Sequence, residues 1–167
     1  DDVQWESIIE LVPKKYWMMD FRSPREIVPS SMDYLCAIAA SLTNYYIHHN
    51  YNVGLISRDQ GWQLLAAERG ERQLIKVLET LALSEGKGDI SLGSVVKFQI
   101  HSLPRGSHVW LVTPGLSQEV LTAAEEIRMR GMHIQIAALE AKSFGKEMKG
   151  LESAQEFGLD KNIRFIS

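Results

Sequence analysis

The stretch "WMMDFRSP" runs an apolar segment into a carboxylate, Asp20, and then into Arg22, Ser23 and Pro24. A carboxylate at a strand end, followed by hydroxyls in the pattern D-x-S-x-S, offers oxygen ligands to a magnesium ion, with water completing its octahedron. Asp20 supplies the carboxylate here. Arg22 and Pro24 stand at the two hydroxyl positions, and Ser23 falls between them. Arg22 brings positive charge to the place of the cation. Without a metal, Asp20 reads as a strand-end or loop-capping carboxylate paired with Arg22 or Arg25.

Other chemistry-bearing patterns are weaker. There is no G-x-x-x-x-G-K-[ST] loop, and "GKGDIS" only half matches G-x-G-x-x-G while following a helix rather than a strand. "GDISLG" is not the nucleophile elbow G-x-S-x-G, and its Ser91 is expected in the first turn of a helix. His48 and His49 are neighbours and diverge on a helix. His101, His108 and His133 are scattered among apolar residues, so all five read as structural or surface histidines. The single cysteine, Cys36, excludes an internal disulfide, and its setting "YLCAIAASL" reads as a buried apolar thiol. With no H-x-x-x-H, no zinc site is indicated. Glu125, Glu126, Arg128 and Arg130 read as a solvated helix face.

The totals suit one globular domain. The chain has 167 residues, 45% hydrophobic and 23% charged. A net charge of -3 gives no overall basic character that would point to nucleic acid or to an anionic membrane. No apolar run reaches the ~18 to 20 residues that span a bilayer. The start, "DDVQWESIIEL", is neither a signal nor a transit peptide and has no initiator Met, so the chain reads as a piece of a longer protein. The absence of a disulfide framework fits a reducing compartment.

Strand-like and helix-like clusters alternate. "SIIELV" and "KYWMMDF" are strand candidates, followed by the proline-bearing loop "PREIVPSS". A helix capped by Ser30 or Ser31, with Asp33 in its first turn, places Leu35, Ile38, Ala39, Leu42, Tyr45 and Tyr46 on one face. "NVGLIS" is a buried strand, and "WQLLAAE" pairs with it as a hairpin across "RDQG". "ERQLIKVLETLAL" sets Leu74, Ile75, Leu78, Leu81 and Ala82 on a helical face. "SEGKG" breaks it, and Asp89 caps a further helix through Leu92, Val95, Val96 and Leu103. "HVWLVT" is a buried strand. A helix with Ser117 as cap and Gly131 as stop follows, then the strand "MHIQIAAL", a short helix in "KEMKGLESAQEFG" and a last strand "NIRFI". This alternation predicts a mostly parallel sheet with helices on both faces. The tryptophans read as core, with Trp5 and Trp62 as candidates for contact with upstream segments.

Five pieces carry a resemblance: "ESIIELVPKKYWMMDF", "YLCAIAASLTNYYIHHNYNVGLIS", "ERGERQLIKVLETLAL", "LPRGSHVWLVTP" and "EEIRMRGMHIQIAALEAKSFG". The chain resembles the von Willebrand factor A-like fold and, more narrowly, the C-terminal part of the bacterial family called domain of unknown function 58. The resemblance implies an α/β doubly wound domain over residues 1–167, with 1–14 as a preceding strand and connector. Its sheet has six strands, mostly parallel, with "WQLLAAE" as the antiparallel edge and helices on both faces. Members of that family carry transmembrane segments and a β-rich region upstream, and their genes accompany MoxR-type AAA+ ATPases. The implied setting is the cytoplasmic domain of a membrane-attached protein. It would bind a protein partner, such as a MoxR-type AAA+ ATPase, and this piece would touch neither nucleic acid nor membrane.

The fold's usual metal set adds a Thr in a second loop and an Asp in a third. Gly88, beside Asp89, stands at the Thr position, and Pro114 of Thr113-Pro114-Gly115 stands at the Asp position. A register slip of one residue brings Ser23, Ser91 or Thr113 into partial substitution. The expectation is a degenerate metal site, no cofactor, no enzymatic activity, and partner contact through Asp20, Arg22, Ser23, Arg25, Asp89, Ser91 and Thr113. Two alternatives stay open. One is a metal-dependent adhesion domain with a displaced ligand set. The other is a small hydrolase of the doubly wound class built on Ser23, Asp89, Ser91 or Thr113, for which the sequence offers no convincing base.

Overall fold

Capping chemistry starts the helices where it starts them in isolation. A computed structural model describes residues 30–139 and 160–166. In it, helix α1 (Ser31–His48) opens on a capping box. The Ser30 hydroxyl accepts the Asp33 N–H, and the Asp33 carboxylate accepts the Ser30 N–H at 2.7 Å. Ile38, Leu42 and Ile47 are buried along this helix. Thr43 is buried with them because its hydroxyl donates to the Ala39 carbonyl at 2.8 Å.

Strand β1 (Val53–Arg58) and strand β2 (Trp62–Glu68) form the expected antiparallel hairpin. Its turn is closed by the Asp59 N–H donating to the Gly61 carbonyl at 3.1 Å. Gly54 is needed in β1, since a Cβ there would stand 2.8 Å from the Leu65 carbonyl oxygen. Helix α2 (Glu71–Ala82) follows, entered through Gly70 at φ +89.

The orientation of α2 differs from the apolar spacing. Ile75 and Leu78, expected to face the core, are 51% and 41% exposed, and the buried residues are Gln73 and Val77. The Gln73 side-chain amide explains the rotation. Its Nε2 donates to the carbonyl of Val53 at 2.7 Å and of Ala66 at 2.8 Å, one on each strand of the hairpin. A buried amide that satisfies two carbonyls outweighs the turning-in of two partly covered side chains. Helix α1 packs on α2, and half-buried Cys36 brings its sulfur 3.6 Å from the Leu81 carbonyl.

Helix α3 (Leu92–Gln99) is capped by Ser91, not by Asp89, and stops short of Leu103. The Ser91 hydroxyl accepts the Ser94 N–H at 3.3 Å. Pro104 and Gly106 at φ +78 turn the chain beyond the helix. Strand β3 (His108–Thr113), helix α4 (Gln118–Met129) and strand β4 (His133–Leu139) make a βαβ unit. Ser117 caps α4 as expected, and Gly131 at φ +76 ends it. Strands β3 and β4 pair in parallel from His108↔His133 to Thr113↔Ala138. A 3-10 turn (Asp160–Asn162) leads to strand β5 (Ile163–Ile166), parallel to β4 and entered at Ile136↔Ile163. The core lies between this sheet and its helices. Leu121, Ala123, Ala124 and Ile127 of α4 are fully buried with Ile136, and Val96 and Ile100 join them. Each large side chain here contributes about 1.5–3 kcal/mol, and the paired alanines let the helix approach the sheet.

The protein is thus α/β, with an antiparallel pair and a parallel sheet in the order β3-β4-β5. This corrects the expectation of one six-stranded sheet, because the described strands form two sheets. The strands expected in "SIIELV" and "KYWMMDF", and the helix expected in "KEMKGLESAQEFG", lie outside the described residues. The chain divides into two compact units. Among the described residues, one holds 30–54 with Leu65–Ser84, and the other Leu55–Leu64 with 85–139 and 160–166. No helix among the described residues is long and apolar enough to cross a membrane.

The rotation of α2 gives a direct test. Gln73→Leu should cost about 1–3 kcal/mol by urea unfolding, since it strands two carbonyls. Ile75→Ala should stay within about 0.5 kcal/mol. The reverse ranking would mean that α2 faces the way its apolar spacing suggests.

Candidate functional site

In the second unit, β1 ends at Arg58 and the hairpin turn begins at Asp59. These two residues organise the loop 85–91. Asp59 is 9% exposed, and its two carboxylate oxygens accept the backbone N–H groups of Glu85 at 2.8 Å and Lys87 at 2.6 Å. Arg58 then grips the far end of the loop. Its Nε and Nη2 donate to the two oxygens of Asp89 at 3.1 and 3.3 Å, the bidentate geometry a guanidinium favours. Gln60 adds a bond to Glu85 at 3.0 Å. The loop backbone comes so close that a Cβ on Gly88 would collide with the Arg58 carbonyl oxygen. This accounts for glycine at the position where the metal pattern has threonine.

The loop's other end meets α4. Glu119, in the first turn of that helix, accepts a hydrogen bond from the Ser91 hydroxyl, and the Ser94 hydroxyl lies 3.4 Å from the same oxygen. Gly93 has no room for a Cβ because the Glu119 side chain occupies the space. A carboxylate at the start of α3 also suits the positive end of the helix dipole. At the end of β3, Thr113 is buried, and its hydroxyl donates to the Gly115 carbonyl at 2.9 Å.

The three described candidates therefore have separate partners. Asp89 goes to Arg58, Ser91 to Glu119, and Thr113 to its own loop, and no hydrogen bond joins any two of them. Asp20, Arg22, Ser23 and Arg25 lie outside the described residues. Arg58, Asp59 and Glu119 were missed by sequence reasoning. The first two look like ordinary hairpin-turn residues, and Glu119 looks like an acid placed for its own helix.

The histidines take local roles. His48 and His49 bring Nδ1 to carbonyls four residues back, at 2.8 and 2.7 Å, where α1 ends. His101 Nε2 is 3.2 Å from Arg130. His108 stacks on Trp110 and faces His133 across the strand pair. Partial desolvation, and then the neighbouring His133, lower the His108 pKa. Among the described residues no three His, Cys, Asp or Glu side chains gather as metal ligands. The charge run on α4 is solvated, with Arg128 bonding Glu125 at 2.7 Å and holding that carboxyl below its ordinary range.

Compared with protein-family models, with curated proteins and with solved structures, the chain matches none of them.

The close approach at Gly88 is testable. Gly88→Ala should lower stability by about 1–3 kcal/mol, because the obstacle is backbone. Gly61→Ala, with open space around it, should change little. Equal thermal melts for the two variants would mean that the loop does not rest on β1.

Proposed function

We propose that this chain is a non-enzymatic protein–protein interaction module of a membrane-attached bacterial protein, with a degenerate metal-dependent adhesion site. The reading rests on the resemblance to the domain of unknown function 58 family and on one observation. The side-chain oxygens expected near the carboxyl ends of the strands are spent on protein: Asp89 on Arg58, Ser91 on Glu119 and Thr113 on Gly115. The partner is an acidic segment, on a MoxR-type AAA+ ATPase in the family setting. Arg22 and Arg25 stand in for the cation, since a guanidinium meets a carboxylate with two directional bonds.

Calorimetry with a MoxR-type AAA+ ATPase from the same genome tests the partner. Arg22→Glu with Arg25→Glu should weaken binding by at least ~2 kcal/mol and leave the melting temperature nearly unchanged. Unchanged affinity, in low salt and with EDTA present, would remove that loop from the interface.

A second reading, a cation site with displaced ligands, has an observation of its own. The Ser91 and Ser94 hydroxyls and the Glu119 carboxylate converge, with Ser91 Oγ 3.0 Å from Ser94 Oγ. The first reading expects no saturable heat from millimolar Mg²⁺ or Mn²⁺. A dissociation constant below ~1 mM that disappears in Glu119→Gln or Asp20→Asn would favour the second.

A further inference from the structure

Two histidines meet at the start of the parallel sheet. His108 and His133, far apart in sequence, open β3 and β4 and are register partners. Their neighbours Val109 and Ile134 turn to the core, so alternation puts both imidazoles on the other face of the sheet. Both residues are exposed, and their ring centres stand 6.1 Å apart with the planes inclined by 56°. Trp110, two residues further along that face of β3, lies nearly parallel to the His108 ring at 6.1 Å between centroids. All three residues belong to the second unit.

We propose that His108 and His133 together chelate one divalent ion of the kind imidazole prefers, Cu²⁺, Ni²⁺ or Zn²⁺. A coordinating histidine nitrogen lies about 2.0–2.1 Å from such an ion. Its ring centre is then about 3 Å from the ion, so two rings on one ion have centres roughly 5 Å apart at the tetrahedral angle and about 6 Å as that angle opens. The observed pair stands within this reach, and small χ rotations of exposed side chains complete the approach. Each imidazole has two nitrogens, so coordination by one leaves the other for a protein hydrogen bond that orients the ring. The lowered pKa of His108 favours the neutral ring that a metal requires. Among the described residues no third His, Cys, Asp or Glu joins the pair, so water completes the coordination. Nitrogen ligands without a carboxylate do not suit Mg²⁺ or Ca²⁺, which take oxygen. The pair sits where β3 begins and Thr113 where it ends, so this site and the strand-end contact proposed above do not depend on each other.

Titration of the 167-residue chain with Cu²⁺ at neutral pH tests the site, because copper held beside Trp110 quenches indole fluorescence. The quench should saturate with a dissociation constant below ~50 μM. His108→Ala and His133→Ala should each weaken the binding about tenfold or more, since either leaves a single nitrogen where two act together. In the unmutated chain, electron spin resonance of the bound Cu²⁺ should show coupling to two imidazole nitrogens. Zn²⁺ should raise the melting temperature of the unmutated chain and of neither variant. Mg²⁺ at ~10 mM should not compete. Copper coordinated by one imidazole only, or an affinity that survives either substitution, places the ion elsewhere and overturns the proposal. So does the absence of any saturable quench.

Discussion

The buried carboxylate of Asp59 is the constraint on which the candidate site depends. A carboxylate withdrawn from water must be fully hydrogen-bonded, and both of its partners are backbone N–H groups of the loop that follows α2. The requirement of one side chain thereby becomes an ordered path for a loop. Hydrogen bonds to a charged acceptor are worth about 1.5–3 kcal/mol. The partly solvated Arg58–Asp89 pair adds at most about 1 kcal/mol. Asp59 fixes the loop and Arg58 trims its end. Gly88 follows from the closeness this demands, and Ser91 is delivered to the point where it can cap α3 and reach Glu119.

Local signals in the sequence were legible. Ser30 with Asp33, Ser117 and Gly131 act within one helical turn, so their neighbours decide their roles. The hairpin was legible because its connection is too short for a crossover. Parallel pairing of β3 and β4 followed from the helix between them.

What stayed hidden depends on partners far along the chain. Asp89 and Ser91 are both good caps, and Asp89 is drawn away by an arginine 31 positions earlier. The face of α2 was misread because its spacing allows two apolar stripes. The choice between them is made by Gln73, a polar residue that no hydrophobic pattern counts. At the site, the loop was identified but not what holds it. Arg58 and Asp59 belong to a turn, and turn residues are normally explained by the turn alone.

The way the loop 85–91 is held sets a gradient of local opening. Helix α4 and strand β4 are held by buried apolar contacts and can exchange their amides only when much of the second unit opens. The loop is held by polar bonds to the side chains of Arg58, Asp59, Gln60 and Glu119, so it can detach while the core stays closed. Within it the amides of Glu85 and Lys87, bonded to Asp59, exchange in step with each other. The reach of the loop toward any ligand is then governed by a single opening equilibrium rather than by general mobility.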